Sequence, residues 1–140
     1  MARVLAIDPG AVRVGLALSD PTGTIAQPAG FEPAKPARTL VDRLVARAVA
    51  VEARELVVGL PRRLDGGIGP EAAAARELGR QLRERSGLPV IMVDERLTSV
   101  AAERALIEMG TRRRQRRERS DEVAASLILR THLDRKRNRG

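Results

Sequence analysis

Residues 4–20, VLAIDPGAVRVGLALSD, decide how the chain begins to fold. Val4-Leu5-Ala6-Ile7 is the short apolar run of a buried strand, and it stops on a carboxylate, Asp8, before turning through Pro9-Gly10. Beyond the turn, Val12, Val14, Leu16 and Leu18 alternate with Arg13, Gly15, Ala17 and Ser19, the period-2 pattern of a half-buried strand. Two strands joined by so short a turn form an antiparallel pair. A carboxylate at the rim of an apolar core is costly unless something pairs with it, so Asp8 needs a partner from elsewhere in the chain.

Outward from this hairpin, Pro21 and Gly23 break the chain before a third short strand near 23–28. Residues 29–37, rich in Pro, Ala and Gly, read as a loop. Leu40, Leu44, Val45 and Val51 then place a helix at about 38–53. ELVVGLP (55–61) is a compact buried strand, followed by the glycine-rich loop RRLDGGIGP (62–70). Pro70 suits the first turn of a second helix that runs to Ser86 and stops at Gly87. LPVIMVD (88–94) is another buried strand. Thr98 or Ser99 can cap a third helix ending at Gly110, and Ser120 a last helix at about 121–134. The order β-β-β-α-β-α-β-α-α predicts an α/β fold: a five-stranded mixed sheet, its first three strands antiparallel, with helices on both faces.

Composition narrows the function. The 140 residues suit one domain over 1–140, and with Phe31 as the only aromatic residue the core must be built from Leu, Val, Ile and Ala. Without cysteine there is no disulfide, thiolate metal site or cysteine nucleophile. One histidine makes a zinc site or a Ser-His-Asp triad improbable, and His132 reads as a surface or packing residue. No stretch approaches a signal peptide or the ~20 apolar residues of a membrane span, so the expectation is a cytoplasmic protein that makes no membrane contact. Of the net charge of +8, residues 112–140 carry +7, with 11 basic and 4 acidic side chains. That lopsided field suits a polyanion such as nucleic acid.

Ligands in open α/β sheets sit beyond the carboxyl ends of the parallel strands, where three acidic positions are candidates. Asp8 ends the first strand, Asp94-Glu95 ends the last, and Asp121 opens the final helix. Asp94 and Glu95 cannot both point into one site on an extended chain, and pattern alone does not choose between them. Carboxylates gathered within a few ångströms repel, and a Mg²⁺ or Mn²⁺ ion removes that penalty while leaving positions open for water and phosphate. Two such ions ~3.5–4 Å apart can serve both the attacking water and the departing oxygen of a phosphodiester.

IDPGAVRVGLALSD (7–20), VVGLPRRLDGG (57–67), VDERLTS (93–99) and SDEVAASLIL (120–129) resemble, in order, the four blocks of the YqgF/RuvX family. Its members are described as pre-16S rRNA nucleases or as Holliday-junction-resolvase-like proteins. The resemblance spans residues 3 to 134 and implies an RNase H-like fold. It implies Asp8, Glu95 (rather than Asp94) and Asp121 as the catalytic metal ligands. Gly10 and Gly15 would let backbone and substrate approach near Asp8. Arg13 would touch a phosphate; Gly59, Leu60, Pro61, Asp65 and Gly66 would shape a substrate-side loop, with Arg62 and Arg63 available for phosphates. Arg96 and Thr98 would lie close to Glu95. One departure stands out: related junction resolvases carry a fourth acidic residue three positions after the helix Asp, where this chain has Ala124.

TRRRQRRERS (111–120) reads as an Arg-rich loop over 111–119, and residues 135–140 as a basic tail. Arg112, Arg113, Arg114, Arg116 and Arg117 are candidate phosphate clamps. With no Tyr or Trp to stack on bases, backbone and shape recognition is expected. Taken with the resemblance, which implies ribosomal RNA maturation, these features lead to the expectation of a metal-dependent nuclease, monomer or homodimer, acting on structured RNA. The alternatives are a resolvase of branched DNA, a non-catalytic ribosome-assembly factor and, from the likeness of DPGAVRVG to an actin-like phosphate loop, a nucleotide-binding domain.

Overall fold

The computed structural model describes residues 3–61, 69–97 and 113–138, with backbone alone for Leu97 and residues 113–122. The chain runs β1 (Arg3–Asp8), β2 (Arg13–Ser19), β3 (Ala26–Pro33), α1 (Ala37–Ala50), β4 (Ala53–Leu60), α2 (Pro70–Ser86), β5 (Val90–Asp94), a 3-10 turn (Glu95–Leu97) and α3 (Arg113–Asn138). The five strands form one sheet in the order β3-β2-β1-β4-β5. β1 pairs antiparallel with β2 and β2 with β3, while β1–β4 and β4–β5 are parallel. This is the mixed sheet that the order of elements predicts, with β1 at its centre.

Alternation along the strands divides the core in two. Leu5, Ile7, Leu56 and Val58 face one side with Val41 and Leu44 of α1 and Leu82 of α2. Val4, Ala6, Ala17, Val57 and Val93 face the other, against Ala124, Ala125, Ile128, Leu129 and Leu133 of α3. Helices therefore cover both faces. α2 begins with Pro70 in its first turn and ends at Gly87, whose φ of 71° lets its N–H bond the Arg83 carbonyl at 3.0 Å. Asp20 closes the β2–β3 turn: the N–H of Ile25, the Thr22 hydroxyl and the N–H of Thr24 all donate to it and hold its carboxyl at about 2.

Four expectations need correction. β2 is buried on both faces, not one, because α3 covers what would have been its wet side; Val12 stays outside the strand and 71% exposed. β3 runs on to Pro33 through residues read as a loop. It is an edge strand, where Pro28 and Pro33 cost no ladder bond, and a register shift between Gly15 and Ala17 absorbs the irregularity. Its Glu32 accepts from Arg43 at 3.0 Å and from Arg47 at 2.7 Å, which seals the edge to α1. Burial pushes the Glu32 carboxyl up, but the bonds from Arg47 and Arg43 outweigh it and hold it below the ordinary range. β5 is the opposite edge, with Ile91 partly exposed, not a strand buried on both sides.

The fourth correction concerns the arginine run. Residues 113–119 are the first turns of α3, not a loop, and 135–138 are its last turn, not a tail. Arginine is a good helix former, and an apolar stripe from Ala124 to Leu133 packs the rod onto the sheet. His132 on that stripe is a packing residue, 5% exposed, with Nε2 2.6 Å from Glu55 Oε1; Lys136 Nζ donates to Glu55 Oε2 at 2.9 Å. Burial pushes the Glu55 carboxyl up, yet the bonds from Lys136 and His132 outweigh it and leave it below its ordinary value. The helix expected at 98–110 lies outside the described residues.

Candidate metal and nucleic-acid site

Asp8 ends the central strand, 2% exposed. By alternation it shares the face of Val4 and Ala6, under α3. The turn that follows demands its glycine, since a Cβ on Gly10 would lie 2.2 Å from the Arg13 carbonyl oxygen. β2 thus returns at once and sets Gly15 opposite Asp8. On the other flank Gly59 of β4 holds Ile128 close: a Cβ there would stand 2.5 Å from Ile128 Cδ1 and 3.6 Å from Asp8 Oδ1. Two glycine positions therefore fix how near the turn and the helix come to this carboxylate.

At the end of β5 the two neighbouring acids have different surroundings. Asp94 is half-buried, accepts the Arg96 backbone N–H at 2.9 Å, and pairs with the Arg96 guanidinium at 3.0 Å. Glu95 follows Val93, which faces α3, by two residues, and is 6% exposed. Between β5 and β1 lies only β4, in which Gly59 pairs with Val93. Asp8 and Glu95 are thus buried acids at the same carboxyl-terminal end of the sheet, while Asp94 shapes the turn and holds Arg96.

Asp121 belongs to α3, three, four and seven positions ahead of Ala124, Ala125 and Ile128; its side chain lies outside the described residues. Ala124 is a core residue packed on the sheet. Arg62, Arg63, Asp65, Gly66, Thr98 and Arg112 also lie outside the described residues. Arg113, Arg114, Arg116 and Arg117 are placed only as backbone of α3. Pro61 lines a cavity of about 190 Å³ with Pro9, Gly10, Ala11, Glu71 and Ala74, beside the turn that follows Asp8. Arg13 is half-buried, its guanidinium 5.5 Å from the Phe31 ring centroid.

Among the described residues no three acidic or imidazole groups converge into a metal cage. The donor chemistry still fits a hard divalent cation: Asp8 and Glu95 offer only carboxylate oxygens, and the single histidine is engaged by Glu55. Such an ion takes few protein ligands and completes its shell with water and phosphate. Sequence reasoning passed over Phe31. The signal was present, a lone aromatic residue two positions before Pro33, but reading 29–37 as loop hid its place on a strand.

Strand order, two-sided helical cover and acids at the carboxyl ends of β1 and β5 define an RNase H-like fold. Residues 2–135 match the family model described as "RuvX: Holliday junction resolvase". A candidate pre-16S rRNA nuclease of Roseiflexus sp. (strain RS-1) is 44% identical over 135 residues, 96% of each chain. One of the same description from Moorella thermoacetica (strain ATCC 39073 / JCM 9320) is 44% identical over 137 residues, 95% of each chain. The fold is shared with T. thermophilus RuvC, solved in complex with Holliday junction substrate, at a TM-score of 0.58 and 17% identity, covering 97% of both chains. The chain belongs to the RuvX family, and with it to the metal-dependent nucleases. Among the described residues, no helix is long and apolar enough to cross a membrane.

Proposed function

We propose that this chain hydrolyses phosphodiester bonds in structured RNA, with precursor 16S rRNA as its substrate and Mg²⁺ or Mn²⁺ as its cofactor. The observation that carries the reading is the pair of buried acids, Asp8 and Glu95, at one end of a sheet face on which α3 lies. Asp121, from α3, would complete the set with them. When bound, the ion supplies a Lewis acid and a water of lowered pKa.

The chain's own residues position the substrate. Asp8 is buried at the end of the central strand, beside Gly59, so its donor atoms would need little reorganisation when phosphate arrives. Arg13 stands on the same face of the sheet and would meet a phosphate oxygen. Asp94, by holding Arg96, keeps that cation near the end of β5. The arginines of α3 extend the positive field along the helix and favour a long polyanion over a mononucleotide.

The test is cleavage of precursor rRNA and of a four-way DNA junction, each with Mn²⁺, Mg²⁺ or EDTA, beside Asp8→Asn. Metal-dependent cutting of the RNA that Asp8→Asn abolishes is expected. Preferential cutting of the junction would move the substrate to branched DNA, the activity named in the family description. Tight binding with no cutting in any metal would leave an assembly factor, for which the core alanine at position 124 would be the structural reason.

A further inference from the structure

Phe31, the only aromatic residue of the chain, stands on the register row of Asp8. Asp8 pairs with Gly15 and Gly15 with Phe31, so the three align across β1, β2 and β3. Directly opposed residues share a face of the sheet. Two observations identify it: Ala17, two residues past Gly15, packs in the core under α3, and Glu32, next to Phe31, reaches Arg43 and Arg47 of α1 on the opposite side. Phe31 is therefore on the face of Asp8, two strand spacings or about 10 Å away. Gly15 puts no side chain between them. The Phe31 ring is on the sheet edge and 39% exposed, with the Arg13 guanidinium over it.

We propose that Phe31 and Arg13 form a nucleotide subsite beside the cleavage site, in which an unpaired base stacks on the Phe31 ring in the place the Arg13 guanidinium now occupies, and Arg13, displaced from the ring, meets that nucleotide's phosphate. The inference rests on the nuclease reading above and deepens it by naming a substrate feature, an unpaired nucleotide next to the cut. Every base offers a π face, so such a platform is tolerant of sequence. A paired base inside a helix is already stacked on its neighbours and cannot use it. The displaced cation adds attraction for the phosphate that accompanies each base. Recognition by backbone and shape, expected from the lack of Tyr and Trp, is thereby joined by one stacking contact.

The test is equilibrium binding of the full chain in EDTA, where no metal-dependent cutting intrudes, to a short single-stranded oligoribonucleotide and to a blunt RNA duplex of equal length. Phe31→Ala and Phe31→Leu are expected to weaken single-strand binding about 5- to 100-fold and to leave duplex binding within about twofold, while Phe31→Trp retains it. Phe31→Leu keeps an apolar side chain, so a folding defect in Phe31→Ala does not decide the result, and thermal melting of all three reports folding directly. Wild-type binding by Phe31→Leu, or equal losses on single strand and duplex, would overturn the subsite. A chain that shows the stacking pattern yet never cuts would defeat the nuclease reading and leave the subsite standing; a chain that cuts RNA but is indifferent to Phe31→Leu would do the reverse.

Discussion

Ile128 fills the space above Gly59, its Cδ1 2.5 Å from where a Cβ at position 59 would stand, with Asp8 Oδ1 3.6 Å from the same point. One glycine thus lets α3 settle on the sheet beside the carboxylate that ends β1. Gly59→Ala should destabilise the protein by about 1–3 kcal/mol through overpacking, since Ile128 is fully buried and has little room to turn. Ile128→Val alone should cost about 0.5–1.5 kcal/mol. Denaturant titrations of both single variants and the double should give a combined loss smaller than their sum, because removing Cδ1 relieves the clash. Strict additivity would mean that the two residues do not touch in this way.

The assignment of Glu95 over Asp94 makes a separate prediction. Under Mn²⁺ at about a hundredfold excess over its Kd, the wild-type chain should gain about 2.7 kcal/mol of stability from binding to the folded state alone. Asp8→Asn and Glu95→Gln should lose most of that gain along with the cutting. Asp94→Asn should keep it and lose only the pairing with Arg96. Thermal melts of the four proteins, with Mn²⁺ and with EDTA, check this; a gain lost in Asp94→Asn and kept in Glu95→Gln would reverse the assignment.

What was legible in the sequence follows from how local each signal is. The β1–β2 hairpin, Pro70 and Gly87 are read from adjacent residues, and the structure places them where the sequence predicts. The course of β3 was hidden because Pro and Gly usually mark loops, and only a position at the sheet edge makes them compatible with a strand. The start of α3 was hidden by charge: repulsion among arginines suggests an open chain, while their helix propensity and the apolar stripe ahead favour a rod. Of the proposed site, Asp8 is singled out in the sequence by ending an apolar run. Choosing Glu95 over Asp94 by geometry needs the orientation of Val93, which depends on β5 packing beneath α3. The pairing of Glu55 with His132, 77 residues apart, leaves no trace in either neighbourhood.

That pairing predicts a pH response. The Glu55 carboxyl lies below its ordinary value when folded, so its contribution is complete above the unfolded carboxylate pKa and disappears as pH falls through the folded one. Glu55→Gln should cost about 1.5–3 kcal/mol near neutrality, the scale of hydrogen bonds to a charged group. The gap between variant and wild type should close on acidification below the carboxylate range. Urea titrations at neutral and acid pH measure it; a gap that stays constant would assign the loss to packing and not to charge.

The arginines at 113, 114, 116 and 117 are four to eight residues ahead of Asp121 on α3, within about 12 Å of rise along the rod. A phosphate bound along this stretch would lie at a distance from the proposed metal ligand that the rise of the helix sets. Replacing all four by Gln keeps helix propensity while removing the charge. Affinity for RNA should then fall for every sequence alike, and the slope of log K against log salt should flatten by about 0.7–0.9 for each phosphate no longer neutralised. Four such phosphates would flatten it by roughly 3. Because the carboxylates are untouched, cutting at saturating RNA should persist with the same cleavage sites. Salt-dependent binding isotherms and saturating cleavage assays measure the two halves. An unchanged slope would mark the run as solvated charge, and altered cleavage sites would show that these arginines choose where the RNA is cut.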